Sequence, residues 1–508
     1  MQGSEPADQN RLWGRIGQLG TRWRRMSILS SVRWVAVSQA ARVLSQLISI
    51  TVLARILPTH AYGQMAMAMT ITNLVFLFRD LGTTTAVIQH RQLTHSLTCT
   101  AHWLNVSVSL ALALLLGLSA YPLAWAFNEA ALCEIILVLS VVFPISGLTL
   151  VRQALLERQS EFATLARIEI VSALGGVVGA VSLALAGAGI WSLVGQMLLS
   201  TLLTTGQLFR ASSWRSSILF SKDDLKILIN SGTNLSLFRL IIYLEQNIDS
   251  LVIGKFLGSG ALGIYAMAYK IMLFPIQNLT AVVSRALLPE LSRRQDMNDS
   301  VGILYTRSLR IICAIAAPLM GGVFFLRQEF VELVFGPRWT QVSQLLTWLA
   351  PVGFIQAITA GTGVVFIAVG RTRLMLRLGM LGGALQISAF LVGVNWGIEG
   401  VAACYFVANL INFFPCFIFA SIVLNLPIAR TFLNLLGPIL ATSLMLLSLS
   451  LIEATITQYL SNQYIAFLAV AAAGASVYFV SLIVLLPQDF ARFCIHFRLK
   501  IMGTRFQQ

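Results

Sequence analysis

The chain has 508 residues, 57% hydrophobic and 11% charged, with a mean hydropathy of +0.80, a balance that excludes a soluble enzyme. Its net charge of +15 does not indicate nucleic acid, because the basic residues cluster in alternate loops as topology signals do. Apolar runs of about 18 residues or more recur along nearly the whole length and are continuous rather than alternating. The expectation is an all-α polytopic membrane protein and not a β-barrel.

In chain order, residues 1–30 form a basic tail in which Arg11 to Arg25 are interleaved with Trp13 and Trp23. This is the composition of a segment lying on the anionic lipids of an inner leaflet. Arg24-Arg25 is not read as a twin-arginine signal, because the following helix carries Arg42, lacks a small-residue cleavage site and leads into many further spans. About fourteen spans of roughly 20 residues or more follow. The first six are 31–57, 62–89, 97–119, 130–153, 161–187 and 189–210, forming an N-terminal lobe over 31–212. Spans 226–255, 260–288, 301–326, 341–369, 372–394 and 398–424 form a C-terminal lobe over 222–424. A helix pair, 431–452 and 463–486, occupies 430–486, and a basic tail covers 487–508.

Placing the N-terminal tail in the cytoplasm puts 26 basic residues on the inside and only Arg55, Lys255, Arg327 and Arg338 on the outside. That bias assigns both termini to the cytoplasm. The remaining basic residues, Arg42, Arg79, Arg167, Arg239 and Lys270, fall inside spans, where a charge costs about 2.5–3.5 kcal/mol and calls for a reason.

The stretch Glu245–Lys270, with glycines at 254, 258, 260 and 263, has a near copy 200 positions earlier at Ala54–Ala68. The ungapped overlay pairs Arg55 with Lys255, Pro58 with Gly258, Gly63 with Gly263, and Ala66-Met67-Ala68 with Ala266-Met267-Ala268. A weaker echo links the starts of spans six and twelve, Gly189-Ile190-Trp191 and Gly397-Ile398-Glu399. The repeat unit is thus six spans. Six is even, so both halves share one orientation, and transporters of this construction hold substrate between their halves. The turns Pro58–Gly63 and Gly258–Gly263 are read as outer hairpins that let helices reverse and slide.

Several spans carry polar stripes. Ser38, Arg42, Ser45, Gln46 and Ser49 share one face of span one, while span two carries Asn73, Arg79, Asp80 and Thr83. Span seven aligns Arg239, Tyr243, Gln246 and Ser250, with Glu245 and Asp249 on the adjoining stripe. Lys270, Gln277 and Ser284 repeat every seven residues in span eight. Polar groups facing hydrocarbon are costly, so these stripes imply a water-filled cavity in which Arg42, Gln46, Arg239, Gln246 and Lys270 bind an anionic headgroup. Arg79, Asp80, Glu245 and Asp249 are candidates for internal ion pairs or for ion coupling. The structural alternative pairs Arg79 with Asp80 and Arg167 with Glu169.

The cysteines at 99, 133, 313, 404, 416 and 494 form no CxxC pair, and the five histidines no HExxH. The sequence therefore points to reduced core thiols, no metal and no cofactor.

The runs LARILPTHAYGQMAMAMTITNLVFLFRDLGTTTAVIQ, NIDSLVIGKFLGSGALGIYAMAYKI and RALLPELSR resemble the polysaccharide-transport branch of Wzx-type flippases. These belong to the multidrug/oligosaccharidyl-lipid/polysaccharide exporter superfamily. The resemblance implies a bacterial inner-membrane protein of two six-helix lobes, a helix pair and a cationic cavity. It also implies alternating access for undecaprenyl-pyrophosphate-linked oligosaccharide units destined for exopolysaccharide, capsule or O-antigen, with polysaccharide polymerase or export proteins as partners. It marks Asp249 and the Gly254-Lys255 turn as family-pattern positions. A lipid II flippase and a drug/cation antiporter of the same superfamily are the near alternatives. A membrane glycosyltransferase or polymerase is the alternative of another class; its usual large outer catalytic loop has no counterpart in the short connections around Ala120–Ala130 and Arg327–Thr340.

Overall fold

The computed structural model describes residues 28–80, 82–90, 93–230, 233–293, 298–460 and 462–485, and among them the regular structure is helical. The tails carrying the expected basic clusters lie outside the described residues. Each long apolar run closes its backbone hydrogen bonds internally, the requirement that hydrocarbon imposes on a spanning segment. In order the helices are α1 (Ile28–Ile56), α2 (Thr59–Phe76), α3 (Thr83–Gln89), α4 (His95–Phe127), α5 (Ala131–Ser140), α6 (Val142–Gly147), α7 (Leu150–Arg158), α8 (Phe162–Leu185) and α9 (Trp191–Ala211). There follow α10 (Lys222–Asn230), α11 (Thr233–Arg293), α12 (Asn298–Phe325), α13 (Arg327–Val334), α14 (Thr340–Ala368), α15 (Thr372–Gly393), α16 (Gly397–Val423), α17 (Ile428–Tyr459) and α18 (Gln463–Leu485).

Among the described residues nine stretches are long and apolar enough to cross a membrane, or ten if α5–α7, bent by 43°, is one span. The chain is therefore a multi-pass helical membrane protein. The expected count of fourteen is not reached on these criteria. Two of the nine stretches, Gln246–Gln277 and Arg373–Val423, each run across a helix break. At the first, Gly258 adopts φ 82° and ψ 179°, a conformation an L side chain would oppose. Span 62–89 is interrupted after Phe76, and Lys226 lies in α10, a short amphipathic helix.

Two compact units are present, and their composition is not a simple cut of the chain. The first contains the chain to Ile56, Ile71–Tyr121 and Cys133–Ile241; the second contains Leu57–Thr70, Pro122–Leu132 and the chain from Ile242. In the first, Val87, Leu97, Ala101, Val151, Ala154 and Leu228 form a core where α3, α4, α7 and α10 meet. In the second, Tyr305, Leu309, Cys313, Ile358, Phe366 and Phe417 join α12, α14 and α16. The helix pair α17–α18 packs on itself and on Leu326 through Met445, Leu449, Val470 and Tyr478, and the Tyr478 hydroxyl donates to the Ala314 carbonyl at 2.6 Å. Large apolar side chains such as Leu114, Leu118, Leu447 and Leu451 remain exposed, as lipid-facing positions require. Cys99, Cys133, Cys313, Cys404 and Cys416 are free thiols.

Candidate functional site

In the first unit the stripe of α1 divides. Ser38, Ser45 and Ser49 are buried, and Ser49 Oγ donates to Gln196 Oε1 of α9 at 3.0 Å. These serines serve helix packing rather than a cavity wall, because small residues let two backbones approach closely. Arg42 and Gln46 stay exposed. Arg42 Nη2 stands 2.7 Å from Glu169 Oε2 of α8, with the two side chains 53% and 42% exposed. Glu169 thus pairs with Arg42, whereas the sequence alternative gave it to Arg167. The Arg167 guanidinium instead lies 5.9 Å from the Trp34 ring centroid.

The polar residues after α2 build a helix end. Asp80 Oδ1 accepts from the Thr84 N–H at 2.8 Å and from Thr84 Oγ1 at 2.6 Å, capping the first turn of α3. Thr83 Oγ1 lies 2.9 Å from the same oxygen and 2.8 Å from Asn105 Oδ1, and its single proton serves one of them at a time. Among the described residues Arg79 makes no ion pair within contact distance: its guanidinium sits 4.9 Å from the Phe76 ring centroid, and its Nε has no hydrogen-bond partner there. The C-terminal end of α3 is closed by Arg158, whose Nη1 lies 2.8, 3.1 and 2.7 Å from the carbonyl oxygens of Val87, Ile88 and His90 and shares its two protons among them. Arg152, read from sequence as a loop charge, is 6% exposed and stacks 3.8 Å from the Phe209 ring centroid. Both arginines look like topology signals in the sequence. Their packing partners lie 57 to 71 residues away along the chain, and no local pattern reveals them.

In the second unit, α2 and the second half of α11 cross at the two glycines of the repeat. A Cβ on Gly63 would lie 1.6 Å from the Ser259 carbonyl oxygen; one on Gly263 would lie 2.0 Å from that of Thr59. Each is 2.9 Å from the other glycine's nitrogen, so the contact is reciprocal. Only hydrogen fits at either position. Around this crossing Gln64 Nε2 donates to Glu129 Oε1 at 3.0 Å, Lys255 Nζ donates to the Ala126 carbonyl, and Tyr62 meets Trp339 edge-on at 5.2 Å. The crossing explains why Leu57–Thr70 belongs to this unit.

Deeper in the same unit Asp249 is 4% exposed and accepts from the Ser250 N–H at 2.6 Å. Among the described residues no cation pairs with it. Tyr265 and Tyr269 stack at 5.9 Å, and Tyr269 lies 6.4 Å from Tyr405, whose hydroxyl accepts from Gln356 Nε2 at 2.6 Å. Asn409 Oδ1 accepts from the same amide at 3.3 Å. A buried carboxylate and a polar–aromatic chain thus join α11, α14 and α16. Of this group the sequence reading singled out Asp249 alone. Gln356 and Asn409, isolated amides within apolar spans, were the signal for the rest. Lys270, Gln246 and Gln277 are exposed. The side chains of Arg239, Glu245 and Ser284 lie outside the described residues. Among the described residues no group of three or more His, Cys, Asp or Glu could hold a metal ion.

The chain is 26% identical over 395 residues to the lipopolysaccharide biosynthesis protein WzxC of Escherichia coli (strain K12), covering 76% of this chain and 80% of that protein. It is 26% identical over 475 residues to the teichuronic acid biosynthesis protein TuaB of Bacillus subtilis (strain 168), covering 91% and 96%. The structure of the lipid II flippase MurJ in an inward closed conformation superposes with a TM-score of 0.73 at 15% identity, covering 91% of this chain and 100% of that one. At that identity the likeness establishes a shared transporter fold. Residues 52–344, more than half of the chain, match the family described as polysaccharide biosynthesis protein. The chain belongs to that polysaccharide biosynthesis protein family, in keeping with the resemblance its motifs carry.

Proposed function

We propose that the protein is a flippase that carries undecaprenyl-pyrophosphate-linked oligosaccharide units across the bacterial inner membrane by alternating access. In this reading it is a transporter and not an enzyme, serving exopolysaccharide, capsule or O-antigen assembly alongside polymerase or export proteins. The observation that carries the proposal is the match over 91% of the chain to a relative named for teichuronic acid biosynthesis, on a helical fold shared with a lipid II flippase. The strong inside bias of basic residues supports cytoplasmic termini, and the 200-residue repeat supports two lobes of six spans plus a helix pair.

Arg42, Gln46, Gln246 and Lys270 are exposed positions on helices that are otherwise apolar. A charged group at such a position is stable beside water and not beside hydrocarbon, which supports a hydrated path for an anionic headgroup. Arginine suits that role because its planar fork grips phosphate oxygens in pairs. The Arg42–Glu169 contact keeps the guanidinium oriented before substrate arrives, and a pyrophosphate would compete with Glu169 for it. Arg239 takes the matching role in the other half by its place in the repeat. Asp249, buried without a described cation, is the coupling candidate, while Asp80 acts as a helix cap. The turns at Pro58–Gly63 and Gly258–Gly263 gate the outer side through the glycine crossing.

Deletion of the gene in a strain without a paralogue, followed by analysis of lipid-linked sugars, tests the assignment. Accumulated precursor with lost surface polymer is expected; unchanged polymer refutes it. Retained export in a well-expressed Arg42→Ala/Arg239→Ala double variant would refute the cationic path while leaving the flippase assignment intact.

A further inference from the structure

The connection between α9 and α10 does more than join two sets of spans. It is strapped to the first turns of α4. Trp103 Nε1 donates to the Ser217 carbonyl at 2.9 Å, the Ser221 N–H donates to Thr100 Oγ1 at 3.1 Å, and Ser96 Oγ donates to Asp224 Oδ2 at 2.6 Å. His95 Nε2 lies 3.0 Å from Ser217 Oγ. Trp214 on one side and Leu228 on the other plug the core of the first unit. A loop held this firmly has the means to turn its apolar residues inward, yet it presents them outward. Ile218 is 92% exposed, Phe220 58% and Leu219 47%. Arg210, Arg215, Lys222 and Lys226 surround them and are exposed, and of the two nearby acids Asp224 is bonded to Ser96.

We infer that Ile218-Leu219-Phe220 is an interfacial anchor that inserts into an anionic lipid leaflet, with the four basic residues lying over its headgroups. The loop is tied to the first turns of α4, a helix long and apolar enough to cross a membrane, so its tip lies at the end of a span and not far out in water. Apolar side chains on such a tip gain by entering the acyl boundary, and lysine and arginine stems reach back to phosphate. Three residues at a loop tip are too small a patch for a stable protein interface, which needs about 800 Å² per partner. Because the loop is tied to α4, the anchor fixes the depth of that end of the first unit. That the leaflet is the cytoplasmic one rests on the orientation proposed above.

The test uses the full chain with its cysteines replaced by serine; Cys99→Ser preserves an acceptor for the Ser217 N–H, which meets Cys99 Sγ at 3.4 Å. Single cysteines at Ile218, Phe220 and, as control, Ser216 are labelled with an environment-sensitive fluorophore. The labelled proteins are placed in phosphatidylcholine vesicles with and without phosphatidylglycerol. At 218 and 220 the emission shifts to the blue and is quenched by acyl-chain nitroxide lipids, more so with phosphatidylglycerol, while 216 remains aqueous. Water-like emission without quenching at 218 and 220 overturns the anchor. A blue shift already present in detergent and indifferent to lipid signals a protein contact and overturns it equally. Quenching that ignores phosphatidylglycerol removes the basic residues from the proposal. An impermeant thiol reagent on cells carrying Ser216→Cys reports sidedness separately, so labelling from outside refutes the orientation without touching the anchor.

Discussion

Substituting alanine for Gly63 or Gly263 places a methyl group where the partner helix has backbone. The new carbon would lie 1.6 Å from the Ser259 carbonyl oxygen in one case and 2.0 Å from that of Thr59 in the other, against a practical floor of 3.0 Å. No rotamer change relieves a clash with main chain, so the helices part by about an ångström or more. Overpacking costs about 1–3 kcal/mol, and a backbone obstruction sits toward the upper end of that range. Alanine's better helix propensity returns about 1 kcal/mol, leaving a net penalty of about 1–2 kcal/mol on the crossed state. If the crossing closes the outer side, that penalty raises the open population by about 5- to 30-fold. The assay is labelling of Ser259→Cys by an impermeant maleimide in cells, read beside the thermal midpoint of the purified protein. Each single alanine raises labelling. The double variant falls short of the summed effects, because one methyl has already parted the helices that the second would meet. Wild-type labelling and midpoints in both single variants, or strict additivity in the double, would refute the reasoning.

Other substitutions separate binding from scaffold. Arg42→Ala abolishes polymer export while changing stability by less than about 1 kcal/mol, since its ion pair with Glu169 is half exposed; a large fall in the thermal midpoint would make Arg42 structural. Asp80→Asn keeps an acceptor for the Thr84 N–H and retains export, whereas Asp80→Ala costs about 0.5–2 kcal/mol as a lost cap. Abolished export in a stable Asp80→Asn protein would return Asp80 to ion coupling. Arg158→Ala destabilises by roughly 1–3 kcal/mol in chemical unfolding, because it strips a charged donor from the carbonyls that end α3; an unchanged midpoint would show the cap to be dispensable. A disulfide joining the turns at Pro58–Gly63 and Gly258–Gly263 stops flux reversibly with reductant, and undiminished flux would leave the glycines a purely structural role.

Helix positions were largely legible because a membrane span is a local property. Twenty apolar residues close their own hydrogen bonds whatever surrounds them, and the expected spans 161–187 and 372–394 fall within a few residues of α8 and α15, while α4 runs on to Phe127, past the expected end at 119. The duplication was equally legible, since an offset of 200 needs only the order of residues. Which polar residue faces what was not. A stripe records periodicity, and a helical face can serve either a cavity or a neighbouring helix. In α1 the serines took the neighbour, while Arg42 and Gln46 kept the open edge. Glu169 found Arg42 across 127 residues, and Asp80 closed a helix that hydropathy had merged into span two. The glycine pair sharpens the contrast. Sequence alone matched Gly63 to Gly263, but only packing brought them into contact, because the absence of a side chain has physical meaning only where another backbone occupies the space.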